Sequence, residues 1–252
     1  MVSFKEIYVR LREHLRFSNP ELSGIGIAVL AAAFIFSFCD WGTPGQCWGG
    51  DFNFVLGLQH LVLVLIIGAI SFFFRQICQK VYALSNGHQA EYKVWWNGIA
   101  ASLIIAFISF GRLPLVLAGG MVSSFVVKLR LGEFRYGFSN WVMGITALWG
   151  VLGNLILAII FAVGAFVYPQ SYFFSKGMTF NLVMAICSLI PLPQQDGLSI
   201  FFGRRFVYYT AIGITLLTAV LLLTKTALGL IILIVLGSIW GIVALLITSE
   251  KD

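Results

Sequence analysis

The chain has 252 residues, 60% of them hydrophobic and 10% charged, with a mean hydropathy of +0.96 and a formal net charge of +6. Soluble domains carry about 25% charged residues, so this composition excludes a soluble globular protein, a disordered chain and a coiled coil. Several apolar runs exceed the ~20 residues that cross a ~30 Å hydrocarbon core, which predicts an all-α fold, a polytopic transmembrane helical bundle.

Residues 1–22 mix Lys5, Arg10, Arg12 and Arg16 with Glu6, Glu13 and Glu21, and place Ile7, Leu11 and Leu15 at helical spacing. They predict an amphipathic, cytoplasmic N-terminal segment lying at the interface. The segment has no apolar h-region or small-residue cleavage site, so it is expected to be retained. Residues 23–252 then form the transmembrane domain. Apolar runs near 23–39, 54–79, 141–167, 178–200, 206–224 and 227–248 predict six spans. A further stretch, about 98–125, is interrupted by Gly111, Arg112, Pro114, Gly119 and Gly120. That punctuation predicts a re-entrant or broken hairpin, because irregular backbone at membrane depth must be covered by protein or water.

Charge arbitrates the topology. With the N-terminus inside and 98–125 returning to its starting side, all of the 16 Lys and Arg residues except Arg112, Lys176 and Lys225 fall on inner segments. This predicts a multi-pass protein of the cell membrane with both termini cytoplasmic. It also accounts for the positive charge without nucleic acid. Cys39 and Cys47 bracket an outer loop with one acid, Asp40, and no basic residue, where an oxidising exterior permits a disulfide or leaves two thiols. Cys78 and Cys187 lie within spans and read as small buried hydrophobes.

Polar groups inside spans are costly unless they are paired or line a cavity, so they are candidates for function. They are Gln59 and His60, then Arg75, Gln76 and Gln79, then Asn154, and Asp196. The segment 188–197, SLIPLPQQDG, is the most informative. A helix that meets Pro191 and Pro193 must unwind there, freeing carbonyls and turning Asp196 toward the bundle. Such a carboxylate suits a metal ligand, a proton carrier, a salt-bridge partner or a hydrated helix end. His60 reads as a hydrogen-bonded interior residue, and Gly237 with Gly241 as a close-packing pair.

These residues resemble the site-2-protease family of intramembrane zinc metalloproteases, particularly its archaeal members. One core helix of that family ends in N-x-x-P-x-P-x-x-D-G; here Pro191, Pro193, Asp196 and Gly197 are present and Ser188 stands for the Asn. Trp149-Gly-Val-Leu-Gly-Asn154 is similar to the family's small-G-P-x-x-N, with Val151 for the Pro, and 90–98 is similar to its basic-to-aromatic stretch before the hairpin. The resemblance covers about 54–224 and implies a protease-like core at about 54–200, with Asp196 at the position of the third zinc ligand.

The departure lies in the second span. The family carries H-E-x-x-H there, two His on one helical face for zinc and a Glu to activate water. The corresponding residues here are Arg75, Gln76 and Gln79. Gln is a poor zinc ligand, Gln76 cannot act as a general base, and Arg75 brings a fixed positive charge. His14, His60 and His88 are not spaced to replace the missing ligands. The expectation is a catalytically inactive relative with no catalytic residue, no metal and no cofactor, Asp196 being a vestigial ligand position. Arg75 or Gln79 is expected to hydrogen-bond Asp196 in place of the ion, unless Arg75 instead snorkels to lipid phosphate. By the resemblance, Arg75, Gln79, Asn154 and Asp196 would line a cavity that binds a transmembrane helix or a membrane-protein partner within the lipid bilayer. An active zinc protease with divergent ligands remains an alternative, as does an accessory subunit of a membrane complex or a small transporter.

Overall fold

A computed structural model of the chain describes residues 11–42, 52–125, 139–224 and 228–233, together with 9, 226 and 235. Nine elements follow in order: α1 (Asn19–Ser37), α2 (Phe54–Ser85), β1 (His88–Val94), α3 (Trp96–Ile108), β2 (Gly119–Phe125), α4 (Asn140–Val167), α5 (Tyr172–Leu189), α6 (Asp196–Gly203) and α7 (Arg205–Leu223). The described chain is mostly helical. Four helices, α1, α2, α4 and α7, are long and apolar enough to cross a membrane.

α1 begins four residues before the boundary expected at 22/23. Ser18 accepts from the Glu21 N–H and Glu21 reaches back to the Ser18 N–H, a capping box with Pro20 in the first turn. Glu21 is therefore not a solvated residue of an interfacial helix; it is buried in the first turn of α1. α2 starts where the apolar run 54–79 does and continues six residues beyond it, to Ser85. Its 32 residues span about 48 Å at ~1.5 Å each, more than a ~30 Å hydrocarbon core. The polar residues from Arg75 to Lys80 continue the helix because each finds a partner or a packed place on the bundle side, while Val62, Ile66 and Ile70 on other faces stay exposed.

The broken stretch is part helix and part strand. α3 ends at a turn in which Phe110 and Gly111 take positive φ, and the Gly111 N–H bonds the Ala106 carbonyl. The chain then returns alongside α3, tied by the Leu117 N–H to Ser102 Oγ, and enters β2. β2 pairs antiparallel with β1, with Tyr92 opposite Met121. This two-stranded sheet is a small addition to a mostly helical fold, which is consistent with the all-α expectation. The strands pair because neither 88–94 nor 119–125 has a helix-forming apolar stripe, and their backbone groups must be satisfied against each other at the bundle wall.

The run expected as one span at 178–200 is two helices. α5 stops at Leu189, the chain loops through Pro191 and Pro193, and α6 starts at Asp196. Pro193 cannot supply the N–H that Leu189 O would receive in a continuing helix. The Tyr208 hydroxyl of α7 supplies it instead, at 3.0 Å. α5 is the enclosed centre of the bundle, with Phe180, Asn181 and Ala185 fully buried. Of the run expected at 227–248, residues 228–233 are helical and most of the remainder lies outside the described residues. Among the described residues four helices are candidate spans, so six spans are not shown.

Candidate functional site

The site forms where α2, α4, the start of α6 and β2 meet. Arg75 and Gln79 are four residues apart on α2, so their side chains leave the same helical face. Both reach Asp196 Oδ2, Arg75 Nη2 at 2.6 Å and Gln79 Nε2 at 2.7 Å. Asp196 Oδ1 accepts from the Met121 N–H of β2 at 3.2 Å. Arg75, Gln79 and Asp196 are each 2% exposed or less. The carboxylate is presented by the unwound segment before it, in which Gln194 adopts a φ of 60°. A left-handed residue at that point is a local cost, offset by what it positions.

Two glycines make room for this arrangement. A Cβ on Gly150 of α4 would lie 2.3 Å from Gln79 Nε2 and 3.1 Å from Asp196 Oδ2. A Cβ on Gly120 of β2 would lie 2.9 Å from Asp196 Oδ1 and 2.7 Å from the Gln194 carbonyl. Any side chain at either position would push into the hydrogen-bonded carboxylate.

Asn154 and Gln76 are also buried, but they do not join the carboxylate. Neither amide atom of Asn154 has a hydrogen-bond partner, and the same holds for Gln76 Oε1, Gln79 Oε1 and Arg75 Nε. Asn154 lies one turn beyond Gly150 on α4, on the side that packs against α2. Buried amides without partners are uncommon in folded proteins, and several in one region call for an explanation.

A second buried ion pair lies beside the first. Lys80 Nζ is 2.8 Å from Glu21 Oε2 and 2.9 Å from the Arg16 carbonyl, and sits over the Phe17 ring. Glu21 Oε1 accepts from the Tyr92 N–H of β1 at 3.0 Å. Tyr92 also gives its hydroxyl to the Ala118 carbonyl at 2.7 Å. Burial pushes the Tyr92 phenol well above its usual range, opposed by the Arg75 charge and assisted by that of Asp196. It therefore remains a donor at any ordinary pH. Neither Glu21 nor Lys80 stood out in the sequence, since charges near span ends ordinarily read as topogenic.

At the far end of α2, His60 donates through Nδ1 to the Asp40 carbonyl at 2.9 Å and stacks on Tyr172, ring centroids 4.1 Å apart. The Asp40 carboxylate receives the Tyr172 hydroxyl and Lys176 Nζ, each at 2.5 Å. Cys39 is disulfide-bonded, Cys78 and Cys187 are free, and Cys47 lies outside the described residues.

The donors at Asp196 do not fit a zinc ion. Zinc takes thiolate, imidazole or carboxylate ligands, usually four, and this carboxylate is surrounded by a guanidinium, a carboxamide N–H and a backbone N–H. Each of these presents positive polarity toward the place a dication would need. Among the described residues no three His, Cys, Asp or Glu side chains cluster to hold a metal.

The chain is similar to a named archaeal protein. Over 197 residues, 77% of this chain and 89% of the other, it is 27% identical to a protein of Methanocaldococcus jannaschii named "Putative zinc metalloprotease". That similarity agrees with a site-2-protease-like relationship at low identity. No family model matches the chain, and no solved structure matches it.

Proposed function

We propose that this membrane protein is a non-catalytic relative of the intramembrane metalloproteases and binds a transmembrane segment or a partner membrane protein at the Asp196 site. The observation that carries this reading is the pairing of Asp196 with Arg75 and Gln79, which stand where the family pattern has its two His ligands. A fixed guanidinium neutralises the carboxylate in the metal's stead, so the site keeps its charge balance and loses the means to polarise water. Hydrolysis would need both a Lewis acid and a base, and Gln76 in the Glu position offers no base.

The unpartnered amides support the binding half of the proposal. Both amide atoms of Asn154 and the amide oxygens of Gln76 and Gln79 lie in an apolar bundle without a hydrogen-bond partner. A segment that loses helicity locally exposes peptide N–H and C=O groups of the same kind, and carboxamides pair with both. The test is made on the full chain purified from native-like membranes. Metal content and cleavage of a model transmembrane substrate are measured alongside recovery of partners by crosslinking at position 154. The expected result is no zinc, no cleavage and a crosslinked membrane protein. Stoichiometric zinc that is lost in Asp196→Ala, with cleavage of the substrate, would instead make this an active protease with divergent ligands.

A further inference from the structure

Arg204 and Arg205 join α6 to α7, and both are exposed. The 19 residues of α7 rise about 28 Å at ~1.5 Å each, close to the thickness of a hydrocarbon core, so the junction falls at one boundary of the membrane. Glycines draw the first turn of α4 to the same level: a Cβ on Gly203 would lie 2.9 Å from the Asn140 carbonyl oxygen and 3.1 Å from Gly144 Cα. Trp141 of that turn lies under the Arg204 guanidinium, with Cζ 5.5 Å from the ring centre, and Phe201 lies under that of Arg205 at 5.6 Å.

Neither guanidinium makes a hydrogen bond or an ion pair with a described residue. A guanidinium lying over a ring keeps the edge that carries its N–H groups clear, and that planar fork matches the oxygens of a phosphate. Around the two cations stand Phe202, Phe206 and Tyr209, at 66%, 76% and 63% exposure, side chains suited to the acyl side of a membrane boundary. Charge complementarity then selects among headgroups. The phosphate of phosphatidylcholine brings a quaternary ammonium toward two cations, whereas phosphatidylglycerol brings a net negative charge. We propose that the α6–α7 junction is a binding site for the phosphate of a net-anionic lipid, held by Arg204 and Arg205 with its acyl chains along Phe206 and Tyr209. The site lies at the opposite end of α6 from Asp196 and does not depend on what that carboxylate binds.

The test uses the full chain in nanodiscs that mix phosphatidylcholine with phosphatidylglycerol, with native mass spectrometry counting the lipid that stays bound on release. A basic residue near an anionic surface adds about fivefold to affinity, so the pair should favour phosphatidylglycerol by about 25-fold. Phosphatidylglycerol is expected on the unsubstituted chain and should be lost when Arg204→Gln is combined with Arg205→Gln. Lys93→Gln with Arg112→Gln removes the same charge from two exposed positions elsewhere and should leave retention unchanged. Glycerol 3-phosphate, which has the phosphate and no acyl chains, should not displace the lipid. If the Arg204 and Arg205 double variant is not recovered folded, Arg205→Gln alone replaces it, with an expected loss of about fivefold. Undiminished retention in the arginine variant, equal loss in the Lys93 and Arg112 variant, or displacement by the soluble phosphate would each overturn the proposal.

Discussion

The Arg75 guanidinium lies 2.6 Å from the Asp196 carboxylate, and the two residues are separated by 121 positions in the chain. Two buried charges are costly to bring out of water, and each makes the other tolerable. Removing one leaves the other stranded. Arg75→Leu and Asp196→Leu should therefore each destabilise the protein by about 3–5 kcal/mol, whereas the double substitution should recover most of the loss. Thermal unfolding of the four proteins in detergent gives the coupling, and additive single effects would mean that the pair does not interact as described.

Lys80 and Glu21 invite the same experiment with a different signature. Glu21 both neutralises Lys80 and accepts from the N–H groups of Ser18 and Tyr92. Glu21→Gln retains oxygen for a backbone donor but strands the ammonium, so it should cost about 3 kcal/mol or more. Combining it with Lys80→Met should restore much of that stability while Lys80→Met alone stays damaging.

Gly150 offers a steric test. Gly150→Ala places a methyl 2.3 Å from Gln79 Nε2, and should displace the carboxamide from Asp196 at a cost of about 1–3 kcal/mol. Gly26→Ala on α1 meets nothing within 4 Å and should be neutral or stabilising by up to ~1 kcal/mol. A comparable loss in both would remove the packing explanation.

The geometry also permits a gain-of-metal experiment. Positions 75 and 79 already direct their side chains to one oxygen of Asp196. Arg75→His with Gln76→Glu and Gln79→His creates the i, i+4 histidine pair opposite that carboxylate, three ligands of the kind zinc accepts. The triple variant should copurify with about one zinc per chain, measured by elemental analysis, and the unsubstituted protein should carry none. Absence of zinc in the folded variant would show that α2 does not align with the metal-binding helix of the family.

Much of this architecture is present in local sequence. The apolar runs are long enough to dictate α1, α2, α4 and α7, because an exposed backbone in hydrocarbon leaves helix as the accessible form. Pro191 and Pro193 end α5 through the missing N–H and the fixed φ, and that break carries Asp196. The residue types at 75, 76 and 79 are already legible as poor zinc ligands or non-bases, since ligand strength belongs to the side chain. What the chain alone does not specify is which buried group meets which. The pairing of His88–Val94 with Gly119–Phe125, the capture of Tyr92 by Glu21 and of Met121 by Asp196, and the room left by Gly120 and Gly150 depend on segments distant in sequence. A buried charge or an outward N–H is unfavourable by itself, and only the partner brought to it through space decides whether it is a fault or a joint.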